Sequence, residues 1–251
     1  MSETNKLNFS AEVVLYPLVL VMLMWIVFWA EIRFNWDFNF LGINPRKVSG
    51  LPGIVLGPFI HSNLKHLFNN SIPLLVLTTS LFYFYRNLRW KVLIYGLLLS
   101  GLITWIIGRP AVHIGASGVV YMLVAFLFFK GIFSKQYQLT ALSLVVVFLY
   151  GGLLWYLLPI DPKISWEGHT AGFVVGLAFA LIFKKIPIEN KKYDWEKEDF
   201  NPEEDDFIKQ FDENGNFIEK LPEEPEEKEP EQVRVVYTFR KEVKKDSEDL
   251  E

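Results

Sequence analysis

Six apolar stretches, at residues 12–31, 65–85, 90–108, 117–133, 138–158 and 168–184, dominate the chain up to its last quarter. Each is close to the ~20 residues that an α-helix needs to cross the ~30 Å hydrocarbon core of a bilayer. None alternates apolar and polar residues, as the ~10-residue strands of a membrane β-barrel do. The pattern therefore predicts an all-α polytopic membrane protein built on a bundle of six transmembrane helices.

The charged residues are segregated from this apolar body. Residues 189–251 carry 23 acidic and 11 basic side chains, a net charge of −12, whereas residues 1–188 carry 6 acidic and 14 basic ones, a net charge of +8. We therefore expect a cytoplasmic N-terminus at residues 1–11, a six-helix core at 12–186, and a short acidic, largely disordered cytoplasmic tail at 187–251. In the tail, "FIKQFDENGNFIEKL" has an Asn-Gly pair between apolar residues and predicts a small β unit, with "VRVVYTF" as a third strand.

The basic residues predict the orientation of the body. The connections after the second, fourth and sixth stretches carry most of the lysines and arginines of the short loops, and such loops are usually cytoplasmic. Both termini are then cytoplasmic, and the second, fourth and sixth stretches all begin on the outer side. The N-terminus lacks the features of a secretory signal, so we expect the first stretch to be a retained membrane helix. The absence of a transit peptide and the compactness of the chain favour a multi-pass protein of the plasma (inner) membrane of a bacterium. The chain has no cysteine, which excludes disulfides and thiolate chemistry.

Polar groups cluster at the outer ends of these three stretches. The cluster contains all four histidines of the chain, together with an asparagine and a serine: His61, His66, His113, His169, Asn70 and Ser117. Ionisable residues inside membrane spans are costly and are functional candidates by default. The three stretches begin at one depth. If the three helices pack together, four of these side chains therefore converge: Ser117, His169, His66 and Asn70.

The chemistry of this cluster predicts a hydrolytic site. A serine hydroxyl becomes a nucleophile when a neutral imidazole takes its proton, so we expect Ser117 as the nucleophile and His169 as the general base and later acid. The backbone N–H of Ser117, at the start of a helix, and the side chains of His66 and Asn70 are candidate donors to an oxyanion, with Gly115 beside them.

Two further features support the same arrangement. Tyr121, one turn below Ser117, is positioned to stack on the His169 ring. Gly172 and Gly176 form a small-xxx-small face that lets helix backbones approach closely. Each motif alone has an ordinary explanation, because a lone Gly-x-Ser-Gly recurs by chance and membrane histidines often only bridge helices. Asp161 and Glu167 fall in the outer loop, and we assign neither a catalytic role.

Three motifs, "HSNLKHLFNN", "GASGVVY" and "HTAGFVVGLAFA", occur in the order and positions that make the chain resemble the rhomboid family of intramembrane serine proteases. The resemblance covers roughly residues 10–186. It implies a Ser117–His169 dyad, an oxyanion site from His66, Asn70 and the Ser117 amide, and a further histidine at His61 beside the site. It also implies cleavage of transmembrane or membrane-proximal segments of other proteins in the bilayer, without metal or cofactor, and gives no role to nucleic acid.

Two other classes of protein remain open. One is a non-catalytic rhomboid-like protein that binds membrane helices; such relatives are expected to lack the serine or the base, and both are present here. The other is a transporter or channel, which predicts internal repeats or interrupted helices and polar groups at several depths. The sequence shows no convincing repeat, and its polar groups cluster at one depth.

Overall fold

The computed structural model describes residues 10–134, 136–161, 164–184, 200–205, 207–212, 215–218 and 237–239. The chain divides into two compact units, Met1–Lys191 and Lys192–Glu251. The described part of the first unit is helical, with α1 at Glu12–Phe34, α2 at Gly53–Leu56, α3 at Leu64–Phe84, α4 at Arg89–Ile107, α5 at Ser117–Phe133, α6 at Tyr137–Tyr150 and α7 at Trp166–Ile182. A 3₁₀ segment, Gly151–Leu157, continues α6 directly.

Several of these helices have the dimensions of membrane spans. Glu12–Phe34, Leu64–Phe84, Arg89–Ile107 and Tyr137–Leu157 are each long and apolar enough to cross a bilayer. The helices α5 and α7 are also apolar, with 17 residues each. The prediction of an all-helical, multi-pass membrane protein is confirmed in this coarse form. The six predicted stretches coincide with α1, α3, α4, α5, α6 with its 3₁₀ segment, and α7, while the number of membrane crossings stays a prediction.

The centre of the first unit is α5. Its sequence is apolar on all sides, which is typical of a helix surrounded by other helices. It packs most extensively against α7, and also against α6, α3 and α4. Leu123, Phe126 and Leu127 are fully buried. Ser117, the first residue of α5, is therefore carried by the most enclosed helix of the unit.

The loop between α1 and α3 contains local structure that the sequence analysis did not predict. It includes α2 and the 3₁₀ turns Asn39–Leu41, Val48–Gly50 and Gly57–Phe59. Arg46 fixes this loop to the end of α4, where its Nη1 donates to the carbonyls of Ile106 at 3.1 Å and Gly108 at 2.7 Å. A cation at a helix C-terminus satisfies carbonyls that have no donor within the helix.

In the second unit, the described residues of the predicted β unit form a turn closed by an antiparallel bridge between Phe211 and Phe217, while residues 213–214 and 219–221 lie outside the described residues. Gly215 has a φ of +80°, and Asp212 Oδ1 accepts from the Asn216 N–H at 2.7 Å. Phe211 and Phe217 stay exposed, so they bury little apolar area to extend the pairing. Of the predicted third strand, residues 233–236 lie outside the described residues, and Tyr237–Phe239 have no assigned bridge.

Candidate active site

The first turns of α5 and α7 bring together the two residues predicted to form the dyad. Ser117 Oγ and His169 Nε2 are 3.0 Å apart, within hydrogen-bond distance. Ser165, the N-cap of α7, accepts from the Gly168 N–H at 3.3 Å, and this cap places His169 in the first turn of the helix. The contact joins side chains that are 52 positions apart in sequence.

The second ring nitrogen of His169 has a partner that the sequence analysis missed. Nδ1 lies 3.0 Å from the carbonyl oxygen of Tyr156 in the 3₁₀ segment. A carbonyl can only accept, so Nδ1 must carry the proton and Nε2 is left unprotonated in the neutral ring. The Ser117 hydroxyl can then donate to Nε2. No residue type reveals such a carbonyl in a sequence, because every residue has one.

Tyr121 lies flat against the His169 ring. The ring centroids are 4.2 Å apart and the planes differ by 10°. The Tyr121 hydroxyl donates to the Leu153 carbonyl at 2.7 Å, which fixes the tyrosine at its outer end. His169 is thus held by a stacked ring on one face and by a hydrogen bond at Nδ1, and little rotational freedom remains to its imidazole.

Glycines make the close approach of α5 and α7 possible. A Cβ on Gly172 would overlap the backbone of Gly118, and a Cβ on Gly176 would overlap that of Met122. Because the obstructing atoms are backbone atoms, a side chain at either position would force the helices apart. The absence of side chains at these two positions keeps the start of α7 within reach of Ser117.

His66 and Asn70 face Gly115 from α3. A Cβ on Gly115, which has a φ of +100°, would stand 2.7 Å from His66 Nε2 and 3.7 Å from Asn70 Nδ2. One N–H of the Asn70 amide donates to the His66 carbonyl at 2.9 Å, and the amide has a second hydrogen. Both side chains therefore border the space just before Ser117, where the N–H groups at the start of α5 have no acceptor within the helix.

His113 and Ser165 connect the loop before α5 to the beginning of α7. His113 Nε2 lies 3.2 Å from the Arg109 carbonyl, so Nε2 donates and Nδ1 accepts from Ser165 Oγ at 2.6 Å. Burial lowers the pKa of His113, which favours this neutral form. A backbone bridge between His113 and Ile43 holds the same loop from the other side.

The placement of Glu167 corrects the sequence analysis. The sequence predicts it in the outer loop, but it lies in the first turn of α7 and is 2% exposed. Its Oε1 accepts from the Arg109 N–H at 3.3 Å and lies 3.7 Å from Arg109 Nε. The partners are 58 positions apart, so local spacing gave no signal. The contact ties the loop before Ser117 to the helix that carries His169.

His61 lies beside the site and does not contact the dyad. Its ring centroid is 5.0 Å from that of His66, and its Nδ1 lies 3.3 Å from the Phe59 carbonyl. Burial, and secondly the neighbouring His66, lower the pKa of His61 to about 4, although the bond to Phe59 opposes this shift. His61 is therefore neutral at physiological pH.

A small cavity reaches Ser117 on the side of α4. It has a volume of about 40 Å³, and its polar lining includes Ser117, His113, Ser165 and Thr104. One water requires ~10–15 Å³ of such space and two to four polar partners. The cavity is therefore large and polar enough to hold water next to the serine.

The fold and this geometry define a polytopic helical membrane protein with a serine–imidazole pair at the start of two packed helices. The Rhomboid domain model matches residues 50–186, and the chain belongs to the rhomboid family, as the sequence motifs predicted. Members of this family are usually intramembrane serine proteases.

Similar proteins occur in mycobacteria. Uncharacterized proteins of Mycobacterium tuberculosis and Mycobacterium bovis are each 37% identical to this chain over 157 residues, which cover 56% of this chain and 62% of theirs. An uncharacterized protein of Mycobacterium leprae is 34% identical over 166 residues, covering 60% of this chain and 62% of its own length. The match therefore spans less than two thirds of these relatives.

Proposed function

We propose that this protein is an intramembrane serine endopeptidase that hydrolyses peptide bonds in or near transmembrane segments of other membrane proteins. The observation that carries the proposal is the 3.0 Å contact between Ser117 Oγ and His169 Nε2, in the tautomer that the Tyr156 carbonyl imposes. A half-buried serine and a buried histidine that served only to join two helices would not need a defined tautomer.

Acylation begins when Ser117 Oγ attacks the scissile carbonyl carbon and its proton passes to His169 Nε2. The tetrahedral intermediate collapses as the C–N bond breaks, and the imidazolium gives the proton to the leaving amine. Ser117 is then esterified by the N-terminal part of the substrate. His169 returns to its neutral form, in which the proton on Nδ1 is still donated to the Tyr156 carbonyl.

Hydrogen-bond donors beside Ser117 stabilise the oxyanion of the intermediate. The Ser117 N–H has no acceptor within α5, and the side chains of His66 and Asn70 border Gly115 from the opposite helix. Donors fixed in place before the reaction act strongly where water is excluded. We expect the loss of the Asn70 amide, in Asn70→Ala, to lower the rate by ~10²-fold.

Deacylation requires water at a site enclosed by apolar helices. The cavity of about 40 Å³ next to Ser117 is suited to hold it. A water molecule gives a proton to His169 Nε2 as its oxygen attacks the ester carbon. When the second tetrahedral intermediate collapses, Ser117 leaves as the alcohol with the proton from His169, and the carboxylic product is released.

The membrane arrangement belongs to the same proposal. Residues 12–186 cross the bilayer six times with both termini in the cytoplasm of a bacterium, and residues 187–251 form a cytoplasmic tail. At 17 residues, α5 and α7 are at the short end of the range for a span. Helices of this length whose first turns lie below the outer surface would hold the dyad within the membrane.

Labelling by a fluorophosphonate probe tests the proposal directly. The purified protein should be labelled and should cleave a fluorescent transmembrane substrate, and both activities should fall by ~10⁴-fold or more in Ser117→Ala and His169→Ala. Ser80→Ala, which removes a hydroxyl that donates to Val76 in its own helix, is the matched control. Labelling that persists in Ser117→Ala would overturn the proposal, and a folded protein that binds the substrate without cleaving it would be a non-catalytic rhomboid-like protein.

A further inference from the structure

The 3₁₀ segment presents three backbone carbonyls to side chains of the candidate site. The Leu153 carbonyl accepts from the Tyr121 hydroxyl at 2.7 Å, and the Tyr156 carbonyl lies 3.0 Å from His169 Nδ1. The Leu157 carbonyl accepts from Thr170 Oγ1, also at 3.0 Å. One short stretch of backbone therefore binds α5 through Tyr121 and α7 through two adjacent residues.

No side chain of this segment is fully buried, although Leu153 packs partly buried against the core. Trp155 is 69% exposed. In α6, which precedes it, only Leu139, Ser143 and Val146 are buried. Carbonyls at the end of a helix need donors outside it, and here α5 and α7 supply them. Hydrogen bonds from those two helices thus fix the position of the segment.

We infer that Thr170 and the hydroxyl of Tyr121 are positioning groups that keep the Tyr156 carbonyl against His169 Nδ1; this inference rests on the proposed function. Their bonds lie on either side of the Tyr156 carbonyl, at Leu153 and Leu157. If the segment moves away, Nδ1 loses its acceptor and the imidazole is free to carry its proton on Nε2. In that tautomer Nε2 cannot accept the proton of Ser117.

Two isosteric substitutions test this inference. Thr170→Val and Tyr121→Phe each remove one hydroxyl while keeping the side-chain volume and, for Tyr121, the stacked ring. We expect each to lower kcat by about fivefold, the size of one ordinary hydrogen bond, with KM unchanged. Thr170→Ser, which keeps the hydroxyl, should restore kcat.

The chain offers matched controls for both substitutions. The hydroxyls of Thr78 and Tyr85 are buried and have no hydrogen-bond partner within the described part of the chain. Thr78→Val and Tyr85→Phe should therefore leave kcat at the wild-type value. Equal kcat values for Thr170→Val, Tyr121→Phe and these two controls would overturn the inference.

The tautomer of His169 gives a readout that does not depend on activity. In protein labelled with ¹⁵N-histidine, the ring nitrogen shifts of His169 should report the Nδ1-protonated form in the wild type and a mixture of tautomers in Thr170→Val and Tyr121→Phe. An unchanged tautomer in both variants would overturn the inference. A changed tautomer in a protein that the fluorophosphonate never labels would support the positioning role and defeat the proposed function instead.

Discussion

Near the dyad, α5 is packed much more closely against α7 than against the segment formed by α6 and its 3₁₀ continuation. On one side lies the α5–α7 seam, where Gly172 and Gly176 meet the backbone of Gly118 and Met122 with no room for a Cβ. On the other side lies the α6 wall, residues 137–157, in which none of the residues 151–157 near the dyad is buried. The seam holds the serine and the imidazole at bonding distance, whereas the wall contacts the imidazole through a carbonyl. At the depth of the dyad, the closest packing therefore joins the two helices that carry the reacting side chains.

The largest effect should follow from adding one methyl group to the seam. Gly172→Ala places a Cβ on the backbone of Gly118, so we expect a loss of about 3 kcal/mol in unfolding free energy, as in overpacked cores, and at least tenfold slower fluorophosphonate labelling. Gly152→Ala in the wall is the matched control, because nothing lies within 4 Å of its Cβ. Its stability should stay within ~0.5 kcal/mol of the wild type. Equal losses of unfolding free energy in Gly172→Ala and Gly152→Ala would show that the seam is not more closely packed than the wall.

The next largest effect should come from lowering the pH, which should destabilise the surroundings of the seam more than the wall. The folded-state pKa of His61 is lowered to about 4 by burial and secondly by His66, so the unfolded chain binds protons first as the pH falls. The contribution of neutral His61 is complete above pH ~6.5 and is lost by pH ~4, at most about 3 kcal/mol. The lowered pKa of His113 acts in the same direction. The thermal midpoint should fall across this range, and less so in His61→Phe.

The α6 wall provides the comparison for the acid experiment. Residues 137–157 contain no histidine. Hydrogen exchange in the wall, corrected for its intrinsic dependence on pH, should therefore change less between pH 7 and pH 4.5 than exchange at the outer end of the seam. A wall that opens before the seam would show that the loops around His61 and His113 do not govern acid stability.

A smaller loss of unfolding free energy is expected when a hydrogen bond at the inner end of the seam is removed. Lys130 is 1% exposed, and its Nζ donates to the carbonyl of Phe183 at 2.6 Å, just beyond the end of α7. Lys130→Met keeps the apolar stem but removes this donor, so we expect about 2 kcal/mol lower unfolding free energy with labelling slowed less than in Gly172→Ala. Lys91→Met, at an exposed position of α4, should be neutral. An unchanged stability in Lys130→Met would show that this bond does not hold the seam.

The smallest effect should come from the face of the wall that points away from the bundle. Phe148 is 86% exposed, and Phe148→Ala is expected to change the unfolding free energy by less than ~0.5 kcal/mol, because an apolar solvent surrounds the side chain in the folded and in the unfolded protein. Val146→Ala, on the buried face of the same helix, should lose about 1 kcal/mol. The comparison is made by measuring the unfolding free energies of Phe148→Ala and Val146→Ala in the same detergent. A larger loss for Phe148→Ala would mean that this face has a protein partner.

The sequence predicts the seam better than the wall, for a physical reason. His169 is recognisable because ionisable residues are rare in membrane helices, and Ser117 because glycines flank it at the start of a helix. Gly172 and Gly176 are recognisable because their spacing follows the helical repeat. The Tyr156 acceptor is a backbone carbonyl, which no residue type marks. The contact between Arg109 and the buried Glu167 joins distant parts of the chain and depends on tertiary packing. The short helices between α1 and α3 lack a long periodic pattern, so their existence could not be predicted either.

The acceptor at His169 has a consequence for the speed of the reaction. In serine hydrolases with a triad, a carboxylate both selects the tautomer of the histidine and provides a counter-ion for the imidazolium that forms in the transition state. The Tyr156 carbonyl selects the tautomer in the same way, but it offers the imidazolium a dipole and not a negative charge. Among the residues that the structure describes, no carboxylate is in direct contact with the ring, so the positive charge forms without a bonded counter-ion. For the proposed endopeptidase activity we therefore expect slower turnover than in a serine hydrolase with a full triad.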